Sequence, residues 1–204
     1  MPGFLRHLMR PGEDAPPRVQ HLHIGEYRAS AEPRVFYTLL GSCVAVCLFD
    51  QEARIGGMNH ILLPGRAVDQ ERLGNVARFG HDAVELLVGA LVEAGASRRR
   101  LRAKLFGGGH VIRQMDESSS PGFRNVQFIN LLMKDERIPV VISDLGGYEA
   151  RKIWFRTDTA EVLLKRVPVQ LVAEVRREEG RFRRQVLARA KAPAAGRSSA
   201  SRQG

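Results

Sequence analysis

No apolar run in the 204 residues approaches the roughly 18–20 needed to span a bilayer, so a membrane helix is excluded. Cysteine is scarce, with two residues at positions 43 and 47, which excludes a disulfide-stapled scaffold. Four apart on one strand, their side chains would point the same way two pleats apart, a poor geometry for bonding to each other. The opening MPGFLRHLMRPGEDAPPR lacks a continuous apolar stretch and a small-residue cleavage site, so no secretory signal is expected. Reduced thiols without an export signal point to the cytoplasm. Acidic residues are outnumbered by Lys and Arg, 22 against 32. Residues 171–204 hold nine Lys/Arg and three Asp/Glu, which is six of the ten net positive charges. The body is therefore only mildly basic and lacks an aromatic-studded basic face, which argues against a specific nucleic-acid partner.

With 44% hydrophobic residues, the chain can build one sizeable core without metal or disulfides. Its organisation reads as a flexible lead-in over 1–18, a folded domain over 19–168, and a basic tail over 169–204. The tail is helical in pattern after Pro168 and disordered from Ala192. Within the domain, Val19 to Ile24 reads as a strand ending near Tyr27, and Arg34–Leu40 is β-branched and aromatic, hence a strand. Val44–Phe49 barely alternates, as a strand buried on both faces would. Arg54–Leu63 forms the next strand, where Gly56 and Gly57 either bulge it or admit a second backbone. From Leu73 the apolar period changes to three and four through Leu91, an amphipathic helix closed by Gly95. Leu101–Phe106 is a strand stopped by Gly107-Gly108-Gly109-His110, and Ser118–Gly122 is a loop. Asn125–Lys134 is a second helix, and Ile138–Ser143 a buried strand. Lys152–Arg156 and Glu161–Val167 make a terminal hairpin about Thr157-Asp158-Thr159. Two helices and about seven strands give a mixed α+β, single-domain layered sandwich.

Cys43 follows Gly41-Ser42 where the chain changes direction, and His60 lies 17 residues on, across a hairpin. A thiol is a useful nucleophile only as thiolate, so it needs a base nearby, and His60 is the candidate. Backbone N–H groups around Gly41 and Ser42 could face a developing oxyanion. Read alone, Cys43 and Cys47 fit small core hydrophobes better than chemistry, and Cys47 sits deeper in the run. His21 and His23 share a strand face, but with no further ligands nearby they read as exposed strand residues rather than a metal site. The glycine loop at 107–109 lacks the Lys-Ser/Thr of a phosphate loop and reads as a tight turn. His81, on the first helix beside Asp82, reads as a surface residue.

Taken in order, TLLGSCVAVCLFD (38–50), GGMNHILLP (56–64), the helix of 73–95, KLFGGGHV (104–111), RNV (124–126) and DLGGYEARKI (144–153) resemble the chemoreceptor glutamine deamidase family, CheD. The resemblance covers about residues 19–168. It implies a layered α/β sandwich, Cys43 as nucleophile and His60 as general base. It also implies a threonine that orients the histidine, for which Thr38 is the candidate. Some members carry that threonine one residue farther from the cysteine, where this chain has Tyr37. The implied reaction converts glutamines of methyl-accepting chemotaxis receptors to glutamate through a thioester, with no cofactor and no metal, and extends to a minor glutamyl methylesterase activity. A CheC-type phosphatase is the implied partner. The alternative is a non-catalytic interaction module that binds that phosphatase or the receptors.

Overall fold

The computed structural model describes residues 3–13, 17–62, 73–111 and 116–168, with Arg177, Gly180, Arg181 and Arg184 beyond them. Among the described residues, nine strands form two sheets. The first has the order β1 (Val19–His21), β3 (Val35–Leu40), β8 (Ala150–Arg156), β9 (Val162–Val167). The second runs β2 (Tyr27–Ser30), β5 (Ile55–Asn59), β4 (Val44–Asp50), β6 (Arg102–Gly107), β7 (Val140–Leu145). Neighbours pair antiparallel except β1 with β3 and β6 with β7. Among the described residues, the α-helices α1 (Leu73–Glu93) and α2 (Pro121–Asp135) pack with the sheets.

Strand β4 organises the layers. Its even residues Val44, Val46 and Leu48 join a core with Val84, Leu87, Leu91, Ile129 and Leu132 from the two helices. Its odd residues Ala45, Cys47 and Phe49 join a second core with Phe36, Leu40, Ile153 and Phe155 of the other sheet. Period-two alternation thus makes one strand serve both interfaces, and every residue of it is buried. A fully buried Leu87 or Phe36 contributes roughly 1.5–3 kcal/mol each, before the entropic cost of ordering it. The result is the mixed α+β sandwich expected from sequence, with a helix layer on one sheet and a second sheet on the other side.

Several boundaries differ from the sequence expectations. The first strand stops at His21, and Tyr27–Ser30 is a separate strand paired with β5. Gly56 and Gly57 do not bulge β5, whose pairing to β4 is regular. A Cβ on Gly56 would lie 2.5 Å from the Thr157 carbonyl oxygen and one on Gly57 2.8 Å from that of Arg28, so close backbone approach is what requires them. Helix α2 begins at Pro121, inside the expected loop, because Ser120 caps it by accepting from the Phe123 N–H at 3.1 Å and Pro121 suits the first turn. Strand β7 is an exposed edge strand rather than a buried one, with Val140, Val141 and Ile142 all in solvent. Part of the lead-in is fastened to the body: Leu8 is buried, and the buried Arg156 guanidinium donates to the Leu8 carbonyl and to Glu13. The expected helical pattern after Pro168 and the disordered end lie outside the described residues, apart from four helical positions between 177 and 184. Among the described residues no helix is long and apolar enough to cross a membrane.

Candidate active site

The β4–β5 hairpin sets the first relationship. Cys47 pairs with Met58, and Val44 bridges Ile61 in the same register, so His60 falls opposite Ala45 and diagonal to Cys43. Cys43, Ala45 and His60 share the face that looks toward the other sheet, at a separation that ring side chains reach. From that other sheet Thr38 points inward between Phe36 and Leu40. Its Oγ1 lies 2.8 Å from His60 Nδ1 and 2.8 Å from the Leu22 carbonyl oxygen. A carbonyl only accepts, so the single hydroxyl proton goes to Leu22, and Thr38 accepts from a protonated Nδ1. His60 is thereby held in the tautomer whose lone pair is on Nε2, an atom that is buried and has no hydrogen-bond partner among the described residues. Burial pushes the imidazole down to about 3, opposed by the nearby Leu22 carbonyl and reinforced by the neighbouring His21 and His23. The ring is neutral at physiological pH, with a base's lone pair in place.

Tyr37 points the other way. Its ring stacks on Trp154 at 4.9 Å on the outer face of the sheet, so the residue that approaches His60 is Thr38.

Residues 41–43 are braced from behind. The Gly41 carbonyl accepts from Gly109 N–H at 2.8 Å, the Cys43 carbonyl from Gly108 N–H at 2.7 Å, and the Ser42 carbonyl from Asn125 Nδ2 at 2.6 Å. In a trans peptide the C=O and the next N–H point in opposite directions. Pinning the Gly41 and Ser42 carbonyls toward the glycine loop and α2 therefore aims the Ser42 and Cys43 N–H groups away from that support. The glycines are sterically required. A Cβ on Gly107, whose φ is +108°, would overlap the Cys43 carbonyl oxygen, and one on Gly122 would come within 2.5 Å of the Gly108 and Gly109 oxygens. Arg151, buried in the same corner, donates to the carbonyls of Gly146 at 2.6 Å and Glu149 at 3.2 Å and to Asp144 at 2.5 Å. The loop that reads as a plain turn in the sequence is the back wall of the Cys43 turn.

Cys43 and His60 are both buried, and Cys43 is in no disulfide. Cys47 packs between the sheets, and its burial raises the thiol far above its usual range despite the nearby Lys104. His21 and His23 are exposed with rings 4.3 Å apart. His81, Glu85 and Glu136 form a surface cluster whose ligand atoms lie within 4.8 Å of one another. Arg98 Nη2 already pairs with Glu136 at 2.6 Å, and the cluster reads as a surface ion-pair network. Sequence reasoning missed Asn125, and the only signal for it was a buried-face position held by a polar residue.

A family model described as CheD chemotactic sensory transduction matches residues 62–166. A probable chemoreceptor glutamine deamidase CheD of Stenotrophomonas maltophilia is 41% identical over 172 residues, 84% of this chain and 83% of the relative. The probable chemoreceptor glutamine deamidase CheD 2 of Chromobacterium violaceum is 45% identical over 70% of this chain and 71% of its own length. The corresponding CheD 1 of Anaeromyxobacter dehalogenans is 49% identical over 68% of this chain and 78% of its own length.

Proposed function

The chain belongs to the CheD family, and on that footing we propose that it is a protein-glutamine deamidase acting on chemoreceptors, with Cys43 as nucleophile, His60 as base and Thr38 as the group that orients it. The observation that carries this reading is the hydrogen-bond chain from the Leu22 carbonyl through Thr38 to His60 Nδ1, which leaves Nε2 as the free lone pair. His60 takes the thiol proton, and the Cys43 sulfur attacks the side-chain carboxamide carbon of a receptor glutamine. The Ser42 and Cys43 N–H groups stabilise the tetrahedral oxyanion, a contribution of roughly 3 kcal/mol per donor in comparable sites. Gly41, with no side chain, leaves room for the substrate beside them. Collapse breaks the C–N bond as His60 returns the proton to nitrogen, releasing ammonia and leaving a γ-glutamyl thioester. Water, losing a proton to the same imidazole, attacks the thioester carbon. Glutamate leaves, and the proton returns to the Cys43 sulfur.

Because Cys43 is fully covered, the carboxamide reaches it by displacing part of that cover, and the reaction then runs out of bulk water. The same thioester route hydrolyses a glutamyl methyl ester, with methanol leaving in place of ammonia. Two cysteines outside any disulfide fit work in the cytoplasm. On the family resemblance we retain a CheC-type phosphatase as a binding partner, to be checked by pull-down with purified components. Mass spectrometry of a chemoreceptor fragment incubated with wild type and Cys43→Ala tests the activity. Wild type should convert glutamine to glutamate, a gain of about 1 Da, and the variant should lose several orders of magnitude in rate. Equal conversion by the variant would end the proposal, and binding without conversion by wild type would favour the interaction module.

A further inference from the structure

The basic tail that stands out in the charge distribution reaches the His60 neighbourhood. A cavity of about 820 Å³ opens beside Thr38 and His60, and Arg177 and Arg181 line it together with Lys152. His21 and His23 form another part of its wall. Arg177 and Arg181 are helical and four residues apart, so they project from one face. Lys152 comes from a different place, β8, where it pairs with Leu39. Three cations from two separate segments thus converge on one concavity, a geometry that concentrates positive potential and raises the local concentration of anions. His21 and His23 both act electrostatically on His60, which puts the imidazole wall within electrostatic range of the proposed base.

On the proposed reaction, the carboxamide being attacked is carried on a polypeptide. An adjoining cavity of this volume holds several side chains, which is what the polypeptide on either side of the target glutamine would supply. We propose that the cavity binds carboxylate side chains flanking that glutamine, so that Arg177, Arg181 and Lys152 make the enzyme select acidic segments. This rests on the deamidase reading above, and it makes the C-terminal segment a specificity element rather than an appendage.

The test uses the full chain carrying Cys43→Ala and two fluorescein-labelled 16-residue peptides. Both contain one glutamine, flanked by glutamates in the first and by serines in the second. Fluorescence anisotropy should show the acidic peptide binding about tenfold tighter at low salt, the scale expected from a few partly exposed charge pairs, with the preference shrinking at high salt. Adding Arg177→Gln and Arg181→Gln should bring the ratio close to one, and Lys152→Gln alone should lower it. Both arginines are exposed, so their replacement leaves the core intact. Equal binding of the two peptides, or a preference that survives the double substitution, overturns the proposal. Ammonia release by the wild-type protein separates the two ideas. Release without acidic preference sinks the cavity proposal alone, whereas acid-selective binding without release sinks the deamidase reading and leaves an anion-selective binding site.

Discussion

Asn125 and Ser42 are 83 residues apart in the chain and joined by a 2.6 Å hydrogen bond from the carboxamide of one to the carbonyl of the other. Helix α2 therefore reaches the turn that carries Cys43, and the buried polar residue on its inner face has a positional role there.

Replacing Asn125 with Leu should strand the Ser42 carbonyl, at a cost of about 1–3 kcal/mol. For a chain of this size that corresponds to a melting temperature lower by several degrees. If Asn125 also positions the turn, kcat for ammonia release falls while KM changes little. A variant with a lower melting temperature and an unchanged kcat would reduce Asn125 to fold support.

Thr38→Val keeps the shape of the side chain and removes the acceptor for His60 Nδ1–H. Free to rotate or change tautomer, the imidazole would be misplaced, and kcat should fall about a hundredfold. Thr38→Ser, which restores the hydroxyl, should recover most of it. Equal rates for valine and threonine would remove Thr38 from the mechanism.

His60 sits at about 3 in the fold against an ordinary value of 6.5. Between those values the unfolded chain takes up the proton and the folded one does not, so acid favours unfolding. The stability associated with a neutral His60 is complete above pH 6.5 and drains away as pH falls toward 3. Denaturant midpoints at pH 7.5 and pH 5 should differ more in wild type than in His60→Gln. Nitrogen NMR of the imidazole should report a protonated Nδ1 and a bare Nε2 unchanged from pH 8 to pH 5, and a titration near 6.5 would contradict the buried neutral form.

Two glycine-to-alanine changes should move stability in opposite directions. Gly107→Ala forces a side chain into a left-handed backbone conformation and against the Cys43 carbonyl, costing about 1–3 kcal/mol from the backbone alone. Gly89→Ala, in the exposed part of α1 with open space around it, should stabilise by about 0.5–1 kcal/mol. Thermal melts of the two variants decide both.

The hairpin that brings Cys43 and His60 to one face was legible because period-two alternation and the turn after Asp50 fix its register locally. Helix α1 was legible from its apolar spacing and from Gly95, which takes φ +105° at its end. What the residues concealed was non-local. Val140-Val141-Ile142 has the composition of a buried strand, and nothing in the run itself says that among the described residues no layer covers that edge. Ser120-Pro121-Gly122 has the composition of a loop and is the capped start of a helix, with Gly122 present for the sake of Gly108 and Gly109. The brace on the Cys43 turn depends on partners 65 to 83 residues downstream, and local pattern carries no trace of such pairings.

The back wall formed by Gly107–Gly109 and Asn125 has a consequence for the order of events at the ribosome. Thr38, Cys43 and His60 are all synthesised by residue 60, yet the donors that hold the Gly41, Ser42 and Cys43 carbonyls come from residues 108, 109 and 125. On the proposed mechanism, a nascent chain that already contains Thr38, Cys43 and His60 should stay silent, because it still lacks the donors that brace the Cys43 turn and β8, the strand that pairs with β3. C-terminal truncations ending before α2 and after β9, compared for ammonia release, would expose that dependence. If Cys43 is the nucleophile proposed above, that delay keeps its thiol unactivated in an unfinished protein.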